Sequence, residues 1–391
     1  MKLNTARAKQ IDAYIDANPD QKIADAKDQK SFTHIKGQLT WLNVYRLPID
    51  LLVYNIMNGR FRGELIAKQE ELKRKLDPTD KRDAKIIQQL LFDQSISETE
   101  ALKDDLKKDG QLVPGIITFD GAVINANRRM SILSKLFAET GERQYQYLKV
   151  GRLQQGVDET DLWNIEAEFQ FGRDYKVDYG GVNELLKIKD GLNRGMSEKQ
   201  ISVALRGRFS EKEVKDKLEI LKLLESYLYF IEKPLDYHNS VQELGHLEKF
   251  ISLHSALKSM QKAKKLREAA AITLYAFASI LKTDIRHLEY RKLKDISANP
   301  NAYLELMKGF NPKKPNSASR EKLVDSFDTA IEIVKNNKES DRPIQLLKKA
   351  LTAIGSIDGT NKKLKDPNII EILNELAKRV SNLQKIVKGR K

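Results

Sequence analysis

The sequence predicts an α+β N-terminal domain followed by a mostly α-helical C-terminal half. Three observations carry this. Short β-rich runs alternating with glycine turns are confined to the first 180 residues or so. Within them, Asp120-Gly121 between two apolar runs is the strongest short hairpin signal. From about Asp178 the strand signals fade and apolar residues recur at helical spacing almost to the end. The 391 residues suffice for roughly two or three domains.

Residues 1–45 read as helix and loop, an N-terminal helical extension. Its start, "MKLNTARAKQIDAYIDANPD", has no apolar signal core or cleavage-site pattern, so a cytoplasmic protein is expected. "NVYRLPIDLLVYN" reads as an extended opening to a domain over 46–180, with Pro48 limiting it to a strand end or edge. "NGRFRG", Asn58 to Gly63, is a turn, and "ELIAKQEELKRKLDP" and "DAKIIQQLLFDQ" follow as helices. In "SISETEALKDDLKKDG", Ser97 and Glu100 have the spacing of a capping box; Leu102 and Leu106 share a face and Gly110 ends the helix. The hairpin strands are Ile116–Phe119 and Ala122–Ile124. Asn127 is placed to cap a helix with Met130, Leu133, Leu136 and Phe137 on one face, ended by Gly141. "YQYLKVGRL" is a strand and "ETDLWNIEAEFQF" a helix. Gly180 and Gly181 mark a hinge into the helical half, which divides into a helix-turn-helix-like unit over 181–235 and a C-terminal region over 236–391. There, Ile369, Leu373, Leu376, Val380, Leu383 and Val387 alternate by four and three, a heptad seam within 369–388. Such a seam serves a dimer zipper or a helix packed on the body.

The composition excludes several chemistries. With no cysteine, disulfides, thiolate metal sites and cysteine nucleophiles are ruled out. The five histidines are scattered. The net charge of +14 attracts polyanions, nucleic acid first among them, although much of the excess sits on helix faces that also carry glutamate.

The local anomaly is "VINANRRMSIL". Arg128 and Arg129 fall in the first turn of a helix, where the macrodipole disfavours cations. Unpaired N–H groups at that end form an anion site, and two guanidinium groups add bidentate phosphate donors. An anion, most simply a nucleotide's phosphates, would relieve the crowding of positive charge. The alternative is arginines that point to solvent or pair with nearby acids.

This succession of helix, glycine, "VPGIITFDGAVINANRR" and helix resembles the N-terminal domain of ParB-like proteins in the ParB/sulfiredoxin superfamily, over residues 46–190. "RLPIDLLVYNIMNGRF" resembles the family's first segment, and "AEFQFGRDYKVDYGGVNELLKI" its third motif with one residue extra between glutamine and arginine. The resemblance implies a ParB/sulfiredoxin-like nucleotide-binding domain taking a nucleoside triphosphate, CTP or ATP, with Mg2+. On it, Asn58, Arg60, Asn127, Arg128, Arg129, Gln170 and Arg173 would bind nucleotide, with Asp174 in the same motif. Glu168 would hold the metal or serve catalysis, as in a slow NTPase. Two residues depart from the pattern: Ala126 replaces the usual glycine, and Asn127 stands where ParB proper has glutamate. An amide there neither holds a metal nor polarises water well, which favours binding over fast hydrolysis. Sulfiredoxin chemistry needs a cysteine that this chain lacks.

In that family a helix-turn-helix follows, and "MSEKQISVALRGRFSEKEVKDKLEILKLLESYL" supplies a candidate with capping boxes at Ser197–Gln200 and Ser210–Glu213. Arg206, Arg208, Lys212 and Lys215 are its candidate DNA contacts. The second helix has no Asn, Gln or Arg cluster for base edges and starts with acids, so backbone contact is expected more than base reading. The leading expectation is a DNA-associated protein, nucleoid- or plasmid-linked, whose nucleotide gates conformation or homodimerisation. The alternatives are an NTPase, kinase or nuclease on the same fold, in mobile-element or phage-defence biology, and an inactive scaffold that binds a protein partner.

Overall fold

The computed structural model describes residues 3–24, 31–171, 181–338 and 342–389. The chain opens with α1 (Thr5–Ala17), β1 (Lys22–Ala24), β2 (Phe32–Ile35), β3 (Gln38–Trp41), β4 (Val44–Pro48) and β5 (Val53–Tyr54). Then come α2 (Arg62–Leu72), α3 (Lys81–Asp93), α4 (Ile96–Lys108), β6 (Gly115–Ile117), β7 (Ala122–Asn125), α5 (Asn127–Thr140), β8 (Tyr147–Arg152) and α6 (Glu159–Phe171). The remainder is helical: α7 (Gly181–Asn193), α8 (Glu198–Ala204), α9 (Glu211–Phe230), α10 (Leu247–Lys262), α11 (Leu266–Lys282), α12 (His287–Tyr290), α13 (Leu293–Ala298), α14 (Pro300–Lys308), α15 (Arg320–Lys338), α16 (Arg342–Gly355) and α17 (Pro367–Lys388). The α+β division expected from the strand signals is present. No helix of the described residues is long and apolar enough to cross a membrane.

The six-stranded mixed sheet runs in the order β1-β4-β8-β6-β7-β5. β6 and β7 form the expected antiparallel hairpin, while β8 pairs with β6, and β5 with β7, in parallel. The hairpin turn is fixed locally. The Thr118 hydroxyl donates to Asp120 Oδ1 at 2.6 Å and accepts from the Ala122 N–H at 2.9 Å. Gly121 has φ +85°, and a Cβ there would meet the Leu51 carbonyl oxygen at 2.9 Å, so the position requires glycine. Pro48 ends β4, a strand flanked on both sides, so its missing N–H falls at a strand end and not along an edge.

Two expectations need correction. Residues 1–45 are not a helix-and-loop extension. β1 belongs to the main sheet, β2 and β3 form a separate hairpin, and Ile11 of α1 is fully buried in the sheet's core with Leu47, Phe61 and Leu148. Asp120 secures α1 by accepting the Asn4 N–H at 2.8 Å and pairing with Arg7. The Ser97–Glu100 capping box is also absent, because α4 starts two residues earlier, at Ile96, with Ser95 as its cap residue. α3 runs almost directly into α4, and the buried Thr99 hydroxyl donates to the Phe92 carbonyl at 2.9 Å, which sets the start.

The helix-turn-helix-like pair has both capping boxes. Its turn carries Arg206 and Gly207 in left-handed conformations. Ile201 and Val214 pack against Trp163 of α6 and Ile188 of α7, so the pair is built onto the last helix of the sheet region. α9 also belongs to a larger core with α10, α11 and α13 to α15, centred on Tyr227, Phe250 and Phe277, so no break in packing falls at 235. α17 is different: none of its residues is buried.

Candidate functional site at the start of α5

The hairpin delivers the chain to α5 through Ala126, at φ +91°. Glycine adopts that left-handed backbone without strain, and alanine does not. Holding alanine there costs on the order of 1 kcal/mol, so Ala126→Gly is expected to raise the unfolding free energy by about 0.5–1 kcal/mol in urea titration. An unchanged or lowered value would show that the turn is not strained.

Asn127 does not cap α5. It is the first helical residue, and no side chain caps the helix. A capping side chain folds back onto the N–H groups of its own helix. The Asn127 side chain is used elsewhere: Oδ1 accepts the Asn55 N–H at 3.0 Å, and Nδ2 donates to the Val123 carbonyl at 2.7 Å. It is 2% exposed and brackets the exit of β5 to β7. The first turn of α5 therefore has no side-chain cap and no acidic residue.

Arg128 is nearly buried. Its guanidinium donates to Glu98 Oε2 at 2.9 Å and Gln94 Oε1 at 3.0 Å, and its buried Nε has no partner among the described residues. Arg129 donates to the Val113 carbonyl. Gln94 connects the arginine motif to the Asn-Arg turn, because its amide also donates to the Arg60 carbonyl, which accepts the Asn183 amide at 2.9 Å as well. Asn58, buried, caps the 3-10 turn Gly59–Phe61 by accepting the Arg60 N–H at 2.9 Å. Gln94 thus joins Arg128 to the backbone of the Asn58–Arg60 turn, while Arg129 turns toward the Val113 carbonyl. Asn127 lies beside them but faces inward.

Beneath the turn, the Gly59 N–H donates to Glu166 Oε1 at 2.8 Å. Glu166 Oε2 accepts from the Lys187 ammonium at 2.8 Å, and both side chains are buried. Burial pushes the Lys187 ammonium below its ordinary value, and Glu166 opposes the shift. A cavity of about 270 Å³ lies alongside, lined by Asn55, Ile124, Trp163, Glu166 and Arg194 among others.

Glu168 belongs to a second cluster. Both its carboxylate oxygens lie 3.3 Å from His34 Nδ1, and Arg206 donates to it. None of these bonds reaches the arginine motif. Arg206 is engaged by a carboxylate of α6, and Arg208 lies 3.8 Å from Glu184, while Lys212 and Lys215 are exposed. Glu168 is not part of a metal-ligating group among the described residues. The group found there is Asp216, Glu219 and His254, with Asp216 also paired to Lys258. The Gln170 side chain, Arg173 and Asp174 lie outside the described residues.

Gln94, Glu98, Glu166, Asn183 and Lys187 are site residues that the sequence reading missed. The one local signal was charge inside apolar runs, Glu166 in "WNIEAEF" and Lys187 in "ELLKIKD". Comparison with known proteins finds no matching family model and no matching curated protein.

Proposed function

We propose that this chain binds the phosphates of a nucleotide at the start of α5 and contacts DNA through its helical half, with the first event altering the second. The observation that carries the reading is the uncapped, acid-free N-terminus of α5, which begins with two guanidinium-bearing residues, Arg128 paired to the half-exposed Glu98 and Arg129 beside it. Phosphate oxygens can replace Glu98 on Arg128 and meet the backbone N–H groups of the first turn. Gln94 ties the Asn58–Arg60 turn to Arg128, so those two residues are the candidates to join it. Mg2+ would accompany a triphosphate such as CTP or ATP. Asn127, with its amide turned into the protein, favours holding over hydrolysis.

α6 supports a link between the halves. Glu166 holds the turn next to Arg60, and Glu168, two residues on, holds Arg206 in the helix-turn-helix-like pair. A shift of α6 would change both contacts together. Arg206, Arg208, Lys212 and Lys215 then supply phosphate contacts to DNA.

The test is retention of radiolabelled CTP or ATP with Mg2+ by the purified chain, compared with Arg128→Ala/Arg129→Ala. Retention by the wild type and its loss in the variant, with an unchanged circular dichroism spectrum, are expected. Equal retention by both would remove the site.

A further inference from the structure

A second cavity, of about 600 Å³, lies between α2, α3 and one turn of π-helix at His238–Gln242. That volume takes a small organic molecule. Its wall carries the carboxylates of Glu64, Glu71, Asp93 and Glu243 against Lys68 and His238. An acidic cavity stands out in a chain of net charge +14. Lys68 is already committed, with its ammonium 2.9 Å from Glu71.

Glu64 is the unbalanced group. It is 8% exposed, and its one ion-pair partner among the described residues is His238 Nδ1, at 3.9 Å. Its hydrogen bonds come from neutral amides, Asn183 Nδ2 at 3.2 Å and Gln242 Nε2 at 3.5 Å. The first turn of α2 offers it a partial charge but no counter-ion. A buried carboxylate so placed is costly until a cation joins it. Two acceptors beside it also lack partners. Gln242 Oε1 and His238 Nδ1 are buried without a hydrogen bond among the described residues. His238 Nε2 faces Glu243 at 3.3 Å, which places the ring proton on that nitrogen and leaves Nδ1 its lone pair. The wide turn aligns the two side chains: the Glu243 N–H donates to the His238 carbonyl at 2.9 Å, five residues back, so His238 and Gln242 both line the cavity.

We propose that this cavity binds a small aliphatic di- or polyamine, with one ammonium on Glu64. An ammonium brings a positive charge and three donors, and Glu64, Gln242 Oε1 and His238 Nδ1 supply three acceptors. The methylene chain lies along Ala67, Ile86 and Leu90, and a second ammonium meets the exposed carboxylates of Asp93 and Glu243. A divalent metal ion would leave the apolar wall unused. Gln94, which ties Arg128 to the Arg60 carbonyl, lines the same cavity, so the amine would sit beside the arginine motif. Its recognition needs no nucleotide.

The test is calorimetric titration of the full chain, without nucleotide or DNA, at physiological ionic strength, where diffuse attraction to surface acids is screened. The titrants are spermidine, putrescine, butylamine and Mn2+. Saturable one-to-one binding of spermidine or putrescine is expected, with butylamine weaker because it lacks the second ammonium. Glu64→Gln should weaken the diamine or polyamine by about tenfold or more, the size of a lost charge-assisted hydrogen bond. Ala67→Phe fills the cavity and leaves every charge in place. It should weaken binding as well, with an unchanged circular dichroism spectrum. No saturable binding, equal affinity in wild type and both variants, or binding of Mn2+ in place of the amines would overturn the proposal.

Discussion

Glu166→Gln is expected to cost the fold about 3–5 kcal/mol, because it leaves the Lys187 ammonium buried without a counter-charge. Glutamine keeps an acceptor for the Gly59 N–H, so the loss reports on the ion pair and not on the turn. The Lys187 ammonium also stands 4.9 Å from the Trp163 ring centre, a contact too weak to replace a carboxylate. The pH dependence follows from the direction of the shift. With its folded value below its unfolded one, Lys187 binds fewer protons folded than unfolded in the window between the two. Stability contributed there rises with pH. Removing Glu166 widens that window downward, so the deficit of Glu166→Gln should shrink as the pH is raised toward 10. Glu166→Gln/Lys187→Met should recover most of the loss, since a buried pair replaced by neutral groups is often nearly neutral. Urea titrations of the three variants from pH 7 to pH 10 check this. A loss below about 1 kcal/mol for the single variant would mean that the pair is hydrated and not a buried ion pair.

Asn127→Ala is expected to cost about 2–4 kcal/mol, because it strands the Asn55 N–H and the Val123 carbonyl away from water. Asn127→Asp should fare little better, as it retains an acceptor for Asn55 but brings a carboxylate against the Val123 carbonyl oxygen. This distinguishes a bracket inside the fold from a ligand contact. The structural reading predicts a lower unfolding midpoint without ligand. A variant as stable as wild type but unable to hold nucleotide would reverse that assignment.

The legible parts of this fold were those specified by short-range chemistry. Asp120-Gly121 fixed a hairpin because the turn needs a left-handed residue, and Ser197 and Ser210 marked helix starts because their partners lie three residues away. What was hidden depended on distant pairing. β1 looked like loop because only its pairing with β4 makes it a strand. Ser97 looked like a cap because the contact of Thr99 with Phe92, which sets the start of α4, crosses from one helix to the next. At the site, Arg128 and Arg129 were visible as a local conflict of charge. Their companions were not, since Glu98 and Asn183 come from other helices and Gln94 from the turn between α3 and α4. Asn127 misled for the same reason: its amide turns toward residues brought close only by the sheet.

Nucleotide phosphates held at the start of α5 would stabilise the folded chain. A thermal-shift panel of CTP, ATP, GTP and ADP, each with Mg2+ and with or without duplex DNA, tests it most directly. A ligand that binds only the folded chain stabilises it by mass action, by about 2.7 kcal/mol at one hundred times its Kd. A rise in Tm of several degrees is expected for at least one triphosphate, absent in Arg128→Ala/Arg129→Ala. A Tm that stays flat across every nucleotide at millimolar concentration would contradict it.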